Sequence, residues 1–398
     1  MPTEELRQDA DRYLMNTYAR LPISIVRGRG CRVYDLEGRE YLDFVGGMAV
    51  NVLGYCHPDL IGAIQKQSQH LLHASNLYYT EPQAKLAQAL VAHSFADKVF
   101  FCNSGAEANE AAIKLARRYA HQKYGADRYE IITMLQSFHG RTLATLTATG
   151  QEKVQKGFEP LVPGFIYVPF NDPAAVEKAM TAATAAVLVE PIQGEGGVHV
   201  ADRPYLQGLR ELCRERDVLL IFDEVQTGMG RTGTLFAYEQ MGVKPDMMTL
   251  AKGLGGGMPI GACLATGEVA AAFTPSAHAS TFGGNPLACS AALAVLRALL
   301  EGRVLEQSRS MGQYLAKGLR ELKDRFSNVT DVRGMGLLQG LELSIDGKQV
   351  VADCLSRGVL INCTMDRVLR FMPPLIITKR DTDRLLDVLA DVLAKQLS

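Results

Sequence analysis

An α/β architecture on a mostly parallel sheet is what the middle of this chain predicts, and two observations carry it. Short apolar, β-branched runs recur between amphipathic helical patterns, at residues 99–101, 131–134, 186–189, 218–222 and 247–250. Two of these runs also end in charged groups: 218–222 delivers Asp223 and Glu224, and 247–250 leads to Lys252 just ahead of a glycine cluster. In open α/β sheets, ligand-binding groups collect where strands give way to loops.

The N-terminal stretch contains a hairpin pattern, CRVYDLEGREYLDF, with Glu37-Gly38 at the turn. Run 99–101 leads into Asn103-Ser104-Gly105-Ala106, which opens a helix continuing through Glu110, Lys114 and Arg118. Amides at such a helix start can hold a phosphate, and glycine lets the anion approach; a plain strand-to-helix turn is the alternative. Runs 131–134 and 186–189 supply further strands. From about Asn285 the pattern changes to long helices, 287–300 and 304–326, followed by a strand at 337–343 and further short strands. With 398 residues the chain exceeds the usual single domain. The expected division is an N-terminal segment at 1–57, a large domain at 58–290 and a smaller C-terminal domain at 291–398.

Charge and cysteine content narrow the function classes. The 42 basic and 43 acidic residues leave a net charge of −1, which offers no electrostatic reason for nucleic acid or a membrane surface as partner. The eight cysteines include no C-x-x-C and no metal-like pairing with histidine, and the first residues have neither a basic start nor an apolar secretory core. No metal and a cytoplasmic location are expected. No apolar run approaches the roughly 20 residues needed to span a bilayer.

The chemistry concentrates on Lys252 and Asp223. A lysine held among apolar neighbours has its amine pKa pushed toward nucleophilic usefulness, although a solvated lysine beside a flexible loop has the same local sequence. Asp223 reads either as the charged partner of such a site or as a turn cap after its strand. Glu224 projects the other way if the strand continues.

The stretches LPISIVRGRGCRVYDLEGREYLDF, FCNSGAEANEAAIKLARRYA, EPIQGEGG, VLLIFDEVQTGMGRTG, PDMMTLAKGLGGGMPIGA and VLRFMPPLIIT together resemble the class III, or subgroup II, aminotransferases. The likeness covers nearly the whole chain. It implies a pyridoxal 5′-phosphate enzyme of fold type I: a large domain with a mostly parallel seven-stranded sheet, a smaller α/β C-terminal domain packed with the N-terminal segment, and a homodimer with shared active sites. By the same resemblance, Lys252 binds the cofactor covalently and then serves as general base and general acid, and Asp223 keeps the pyridine nitrogen protonated. Ser104, Gly105 and Ala106 match the phosphate-binding turn, Phe138 and Val225 the two ring-face contacts, and Gln226 the residue near the ring hydroxyl. Ser280 and Thr281 match a loop reaching across a dimer interface to the partner's phosphate; as a bare sequence they read as a Gly-rich loop before a helix. His139 is left as a structural neighbour.

Five further positions bear on substrate. Arg141 matches the arginine that grips the α-carboxylate of an acetylornithine-like donor, and Arg370 the one that binds the α-carboxylate of 2-oxoglutarate or glutamate, both suited to two-pronged guanidinium binding. Glu195 matches the acid that covers Arg370 while an ω-amine donor is bound, and Tyr18 a pocket tyrosine. Met48 stands where ornithine-specific members carry tyrosine. The likeness is therefore to members that move the δ-amino group of N2-acetyl-L-ornithine to 2-oxoglutarate, giving N-acetyl-L-glutamate 5-semialdehyde and L-glutamate in arginine biosynthesis; relatives also act on succinyl-diaminopimelate. Ornithine or 4-aminobutyrate transamination is the alternative, and a non-catalytic cofactor-sensing module the alternative of another class.

Overall fold

The computed structural model describes residues 3–396. Strands β1 (Ile25–Arg29), β2 (Arg32–Asp35) and β3 (Glu40–Asp43) open the chain. They are followed by β4 (Lys98–Cys102), β5 (Glu130–Met134), β6 (Phe165–Val168), β7 (Thr184–Val189), β8 (Ile192–Gln193), β9 (His199–Val200), β10 (Leu219–Asp223), β11 (Met247–Leu250) and β12 (Gly261–Ala265). The C-terminal part adds β13 (Val329–Met335), β14 (Leu338–Leu343), β15 (Val359–Leu360), β16 (Asn362–Thr364) and β17 (Val368–Phe371).

Seven of these form one sheet in the order β4-β12-β11-β10-β7-β5-β6. Every pairing in it is parallel except those of β12, which runs antiparallel to both β11 and β4. All residues of β7 and β10 are buried, as a sheet covered on both faces requires. The two-residue period decides which face each side chain serves. Val187, Val189, Leu220 and Phe222 join the core beneath the helix Arg203–Glu215. Ala186, Leu188, Leu219 and Ile221 pack instead against the alanine-rich side of the helix Gly105–Tyr124. Strand β12, sequence GACLA, has no β-branched residue, so its strand signal is weak and it was not anticipated; β6 was likewise missing from the expected runs.

The C-terminal sheet, β13-β14-β17-β16, is antiparallel throughout. The helices Val304–Arg325 and Lys379–Lys395 supply core residues beside it. The N-terminal hairpin turns at Gly38, whose φ of +80° suits glycine and whose amide donates to Asp35 O at 3.0 Å. Strand β3 then pairs in parallel with β15, Leu42 facing Val359, while Arg32 bonds Asp381 at 2.7 Å. The first strands are thus stitched to the last part of the chain. Helix Pro286–Glu301 begins with proline in its first turn and Asn285 accepting from the Ala288 amide. Among the described residues no helix is long and apolar enough to cross a membrane.

Leu220 is fully buried beneath the site-bearing end of β10. Replacing it with alanine should lower the free energy of unfolding by about 2–5 kcal/mol, read from denaturant melts; a cost below about 1 kcal/mol would contradict the packing described.

Candidate active site

The carboxyl ends of β4, β5, β7, β10 and β11 open on one cavity of about 450 Å³. Of the residues expected from sequence, Ser104, Gly105, Ala106, Phe138, Arg141, Glu195, Asp223, Val225, Gln226 and Lys252 all line it. Most lie on the loops and turns that follow these strands, where side chains can leave a sheet whose faces are both covered.

Asp223 is the last residue of β10 and is buried. Its Oδ2 accepts from Asn109 Nδ2 at 2.7 Å and lies 2.8 Å from His139 Nδ1; its Oδ1 accepts from the Val225 amide at 3.0 Å. Asn109 is itself held, donating to His139 O and accepting from Thr249 Oγ1, each at 2.7 Å. A turn cap needs only the Val225 bond; the other two fix the carboxylate's orientation. Sequence reasoning missed Asn109, although an asparagine within the buried face of an alanine-rich helix was the available signal. His139 is more than a neighbour, since its ring is part of this network. Glu224 turns away as expected, accepting from the amides of Ala237 at 2.6 Å and Tyr238 at 2.8 Å. Burial raises its pKa to about 7.

Lys252 follows β11 with a left-handed φ of +40°, a conformation that non-glycine residues hold only when their surroundings impose it. Loss of solvation pushes its amine pKa below the ordinary lysine value, and the charge of Arg370 adds to this. Glu195, Asp223 and Glu190 oppose the shift without reversing it. Glu190, at the end of β7, is a second residue that sequence reasoning missed. It accepts from the Phe138 amide at 3.0 Å, and burial together with the charge of Asp223 raises its pKa well above the carboxylate range.

Opposite the lysine, Glu195 Oε1 receives Arg370 Nη1 at 2.7 Å. Arg370 is completely buried and does not line the cavity, whereas Glu195 does: the glutamate stands between the arginine and the open space. Burial raises the Glu195 pKa, but the charge and hydrogen bond of Arg370 lower it further, so the group stays ionised. Gln226 packs beside the pair, its Nε2 3.4 Å from Glu195 Oε1 and its Oε1 3.4 Å from Arg370 Nη1. A Cβ on Gly194 would lie 1.7 Å from Gln226 Oε1, so the first glycine of QGEGG makes room for that glutamine. Gly105 plays the same part for Val225, whose Cγ1 would be 2.7 Å from an added Cβ.

Arg141 is exposed at the cavity edge, its guanidinium 5.4 Å from the Phe138 ring centroid. Besides Arg370, three expected residues do not reach the cavity within one chain. Tyr18 is 70% exposed, in a segment whose large apolar side chains Tyr13, Leu14, Met15 and Leu21 are exposed too, so nothing in the chain folds it onto the site. Ser280 and Thr281 line a separate cavity of about 520 Å³ with His278 and Phe282; Asn103 borders both spaces and donates to Ser280 Oγ at 3.3 Å. Met48, used in the sequence argument on donor choice, is also absent from the cavity wall; its neighbour Val50 is present.

These groups suit a phosphorylated, protonatable pyridine aldehyde. The wall offers a deeply held carboxylate, a lysine of lowered basicity, an aromatic face, and the start of the helix Gly105–Tyr124, whose first amides have no partner within the helix. A lysine and a carboxylate so placed, at neighbouring strand ends of a seven-stranded, mostly parallel sheet, define a pyridoxal phosphate enzyme of fold type I. Residues 13–393 match the family model Aminotransferase class-III, and the chain belongs to that family of pyridoxal phosphate-dependent transaminases. It is 52% identical over 384 residues to the acetylornithine aminotransferase of Methanocaldococcus jannaschii, covering 96% of each chain. Among solved structures, it resembles the ornithine aminotransferase of Toxoplasma gondii with a TM-score of 0.96 at 34% identity, covering 100% of this chain and 96% of that one. It resembles the N-acetylornithine aminotransferase of Stenotrophomonas maltophilia with a TM-score of 0.85 at 40% identity, covering 98% and 99%.

A lysine whose folded pKa is lowered weakens the fold wherever it must be charged. That penalty is complete below the folded pKa and vanishes above the unfolded value of 10.5. Cofactor-free Lys252→Met should therefore be more stable than cofactor-free wild type at pH 8, with the gap closing as pH approaches 10.5. Chemical denaturation across that range measures it, and a gap that widens with pH would contradict the assignment.

Proposed function

We propose that this enzyme transfers the δ-amino group of N2-acetyl-L-ornithine to 2-oxoglutarate, yielding N-acetyl-L-glutamate 5-semialdehyde and L-glutamate, in the cytoplasm. The observation that carries the reading is Glu195 sealing the buried Arg370 from the cavity at 2.7 Å while Arg141 remains at its edge. With Arg370 neutralised, an amino acid finds no cation deep in the site for its α-carboxylate. Arg141 holds that carboxylate at the mouth instead, and the far amine reaches Lys252. When 2-oxoglutarate or glutamate enters, the Glu195 side chain swings aside and Arg370 takes the carboxylate. One cavity then serves two substrates of different length.

Bound pyridoxal phosphate supplies the electron sink that makes the substrate C–H bond acidic. The chain does the rest. Asp223, oriented by Asn109 and His139, holds a proton on the ring nitrogen by its fixed negative charge. Ser104, Gly105 and Ala106 anchor the phosphate, and Phe138 and Val225 flank the ring. Lys252, with its amine pKa lowered, takes the proton from the substrate carbon and returns it as general acid.

A homodimer completes the site in this reading. Leu77, Tyr78, Tyr79 and Phe282 form an exposed apolar set near the 280–281 loop, and a second copy covering them brings Ser280 and Thr281 to its neighbour's phosphate. The division at 57/58 and 290/291 belongs to the same proposal, supported by the pairing of β3 with β15 and by the separate C-terminal sheet. Preference for the acetylated donor over ornithine is supported by identities of 48% to 54% to curated acetylornithine aminotransferases.

Two outcomes test the proposal. With 2-oxoglutarate as acceptor, kcat/KM for N-acetylornithine should exceed that for ornithine, 4-aminobutyrate and succinyl-diaminopimelate; and Arg141→Ala should cut the acetylated donor's value by about 10- to 100-fold, the loss of a charged hydrogen bond, while the 2-oxoglutarate half-reaction changes little. Equal losses in both halves would refute the role of Arg141. Separately, Glu195→Gln should raise the rate at which ornithine reacts through its α-amine, seen in the ratio of α-keto acid to semialdehyde formed; an unchanged ratio would remove the gate from the mechanism.

A further inference from the structure

The arginine behind the gate is gripped from a side the cavity does not reach. Strands β16 and β17 pair so that Asn362 faces Arg370 directly. Asn362 Oδ1 accepts from Arg370 Nε at 3.0 Å and from Nη2 at 2.8 Å. Two residues along the same short strand, Thr364 Oγ1 donates to the backbone carbonyl of Glu195 at 2.5 Å. A three-residue strand therefore holds the side chain of the arginine and the main chain of the glutamate, the two halves of the ion pair that spans β17 and the loop after β8.

This division of contacts limits what can move. With Nε and Nη2 tied to Asn362, the guanidinium plane is set, and Nη1 is the nitrogen that meets Glu195 and Gln226. With its carbonyl tied to Thr364, Glu195 can leave by rotating its side chain without carrying its backbone along. Asn362 is also neutral. An amide oxygen orients a guanidinium while leaving its positive charge uncancelled; a carboxylate there would be a permanent counter-ion, competing with both Glu195 and an incoming carboxylate in a site where desolvation strengthens charge interactions.

We propose that Asn362 is a positioning residue that sets specificity for the dicarboxylate partner, keeping Arg370 aimed at the cavity with its charge uncancelled so that the edge of the guanidinium facing Glu195 can exchange it for substrate. The inference rests on the reading of Arg370 as the carboxylate site for 2-oxoglutarate and glutamate.

The test uses the holoenzyme and follows the two half-reactions separately by cofactor absorbance. Asn362→Asp should raise KM for 2-oxoglutarate by about tenfold or more, with kcat less affected and KM for N-acetylornithine within about twofold of wild type. Asn362→Ala, which removes the grip without adding charge, should raise the 2-oxoglutarate KM by a smaller factor, again with the donor spared; it also decides the question if Asn362→Asp fails to fold. Equal effects on both substrates, or no effect on 2-oxoglutarate from either variant, would overturn the proposal. Arg370→Gln separates the two levels. If it raises the 2-oxoglutarate KM while the Asn362 variants do not, the role of Asn362 alone falls; if it leaves that KM unchanged, the underlying reading of Arg370 falls with it.

Discussion

The whole site depends on keeping a negative and a positive group desolvated, a short distance apart, at the same edge of a fully covered sheet. Asp223 and Lys252 are carried by adjacent strands, β10 and β11, whose register places Asp223 beside Thr249. Burying an ionised carboxylate is costly unless it is hydrogen-bonded, and three donors meet this one: Asn109, His139 and the Val225 amide. Thr249 in turn steadies Asn109, so the strand leading to Lys252 helps orient the group opposite it. The same desolvation that demands this network lowers the basicity of the lysine. Structure and reactivity here have one cause.

A second pair of charges follows different rules. Asp223 is surrounded by fixed partners, but Glu195 keeps a side chain that remains 27% exposed while its arginine is wholly buried. Because a buried charge left unpaired is costly, such a pair opens only when water or a substrate carboxylate takes the place of the side chain that leaves, and the accessible partner is the one able to leave. Gly194, just before Glu195, serves this arrangement by allowing Gln226 to pack against the pair. In the proposed mechanism a fixed carboxylate thus serves the cofactor, and a more accessible one serves the alternation of two substrates.

Much of this was legible in the chain. Apolar runs ending at Asp223 and Lys252 announced strand ends facing a common space, and the Ser104-Gly105-Ala106 turn announced a helix start beside it. Ten of the expected residues meet at one cavity: strand ends and the helix start placed Asp223, Lys252 and the Ser104-Gly105-Ala106 turn, and the family resemblance supplied Phe138, Arg141, Glu195, Val225 and Gln226. Asn109, Glu190 and Asn362 were not anticipated. Each earns its place through a partner distant in sequence: Asn109 through Asp223, Glu190 through the Phe138 amide, Asn362 through a cross-strand register. Strand β12 escaped notice because small residues suit a position squeezed between β4 and β11 without advertising a strand.

Tyr18 marks the opposite limit, since motif likeness assigned it to the pocket and a single folded chain leaves it outside; Ser280 and Thr281, which the same likeness assigned to a partner's phosphate, also lie away from this chain's own cavity. By itself the amino-acid order determined the strand runs that define the fold class and the prominence of Asp223 and Lys252, because hydrophobic period and residue type are written locally; the roles expected of Arg141, Glu195 and Arg370 came from the family resemblance. Only the tertiary structure decided that Asp223 is held by Asn109 and His139, and that β16 holds both Arg370 and the main chain of Glu195. Those facts depend on sheet order and strand register, which set distances between residues far apart in the chain and which no local pattern encodes.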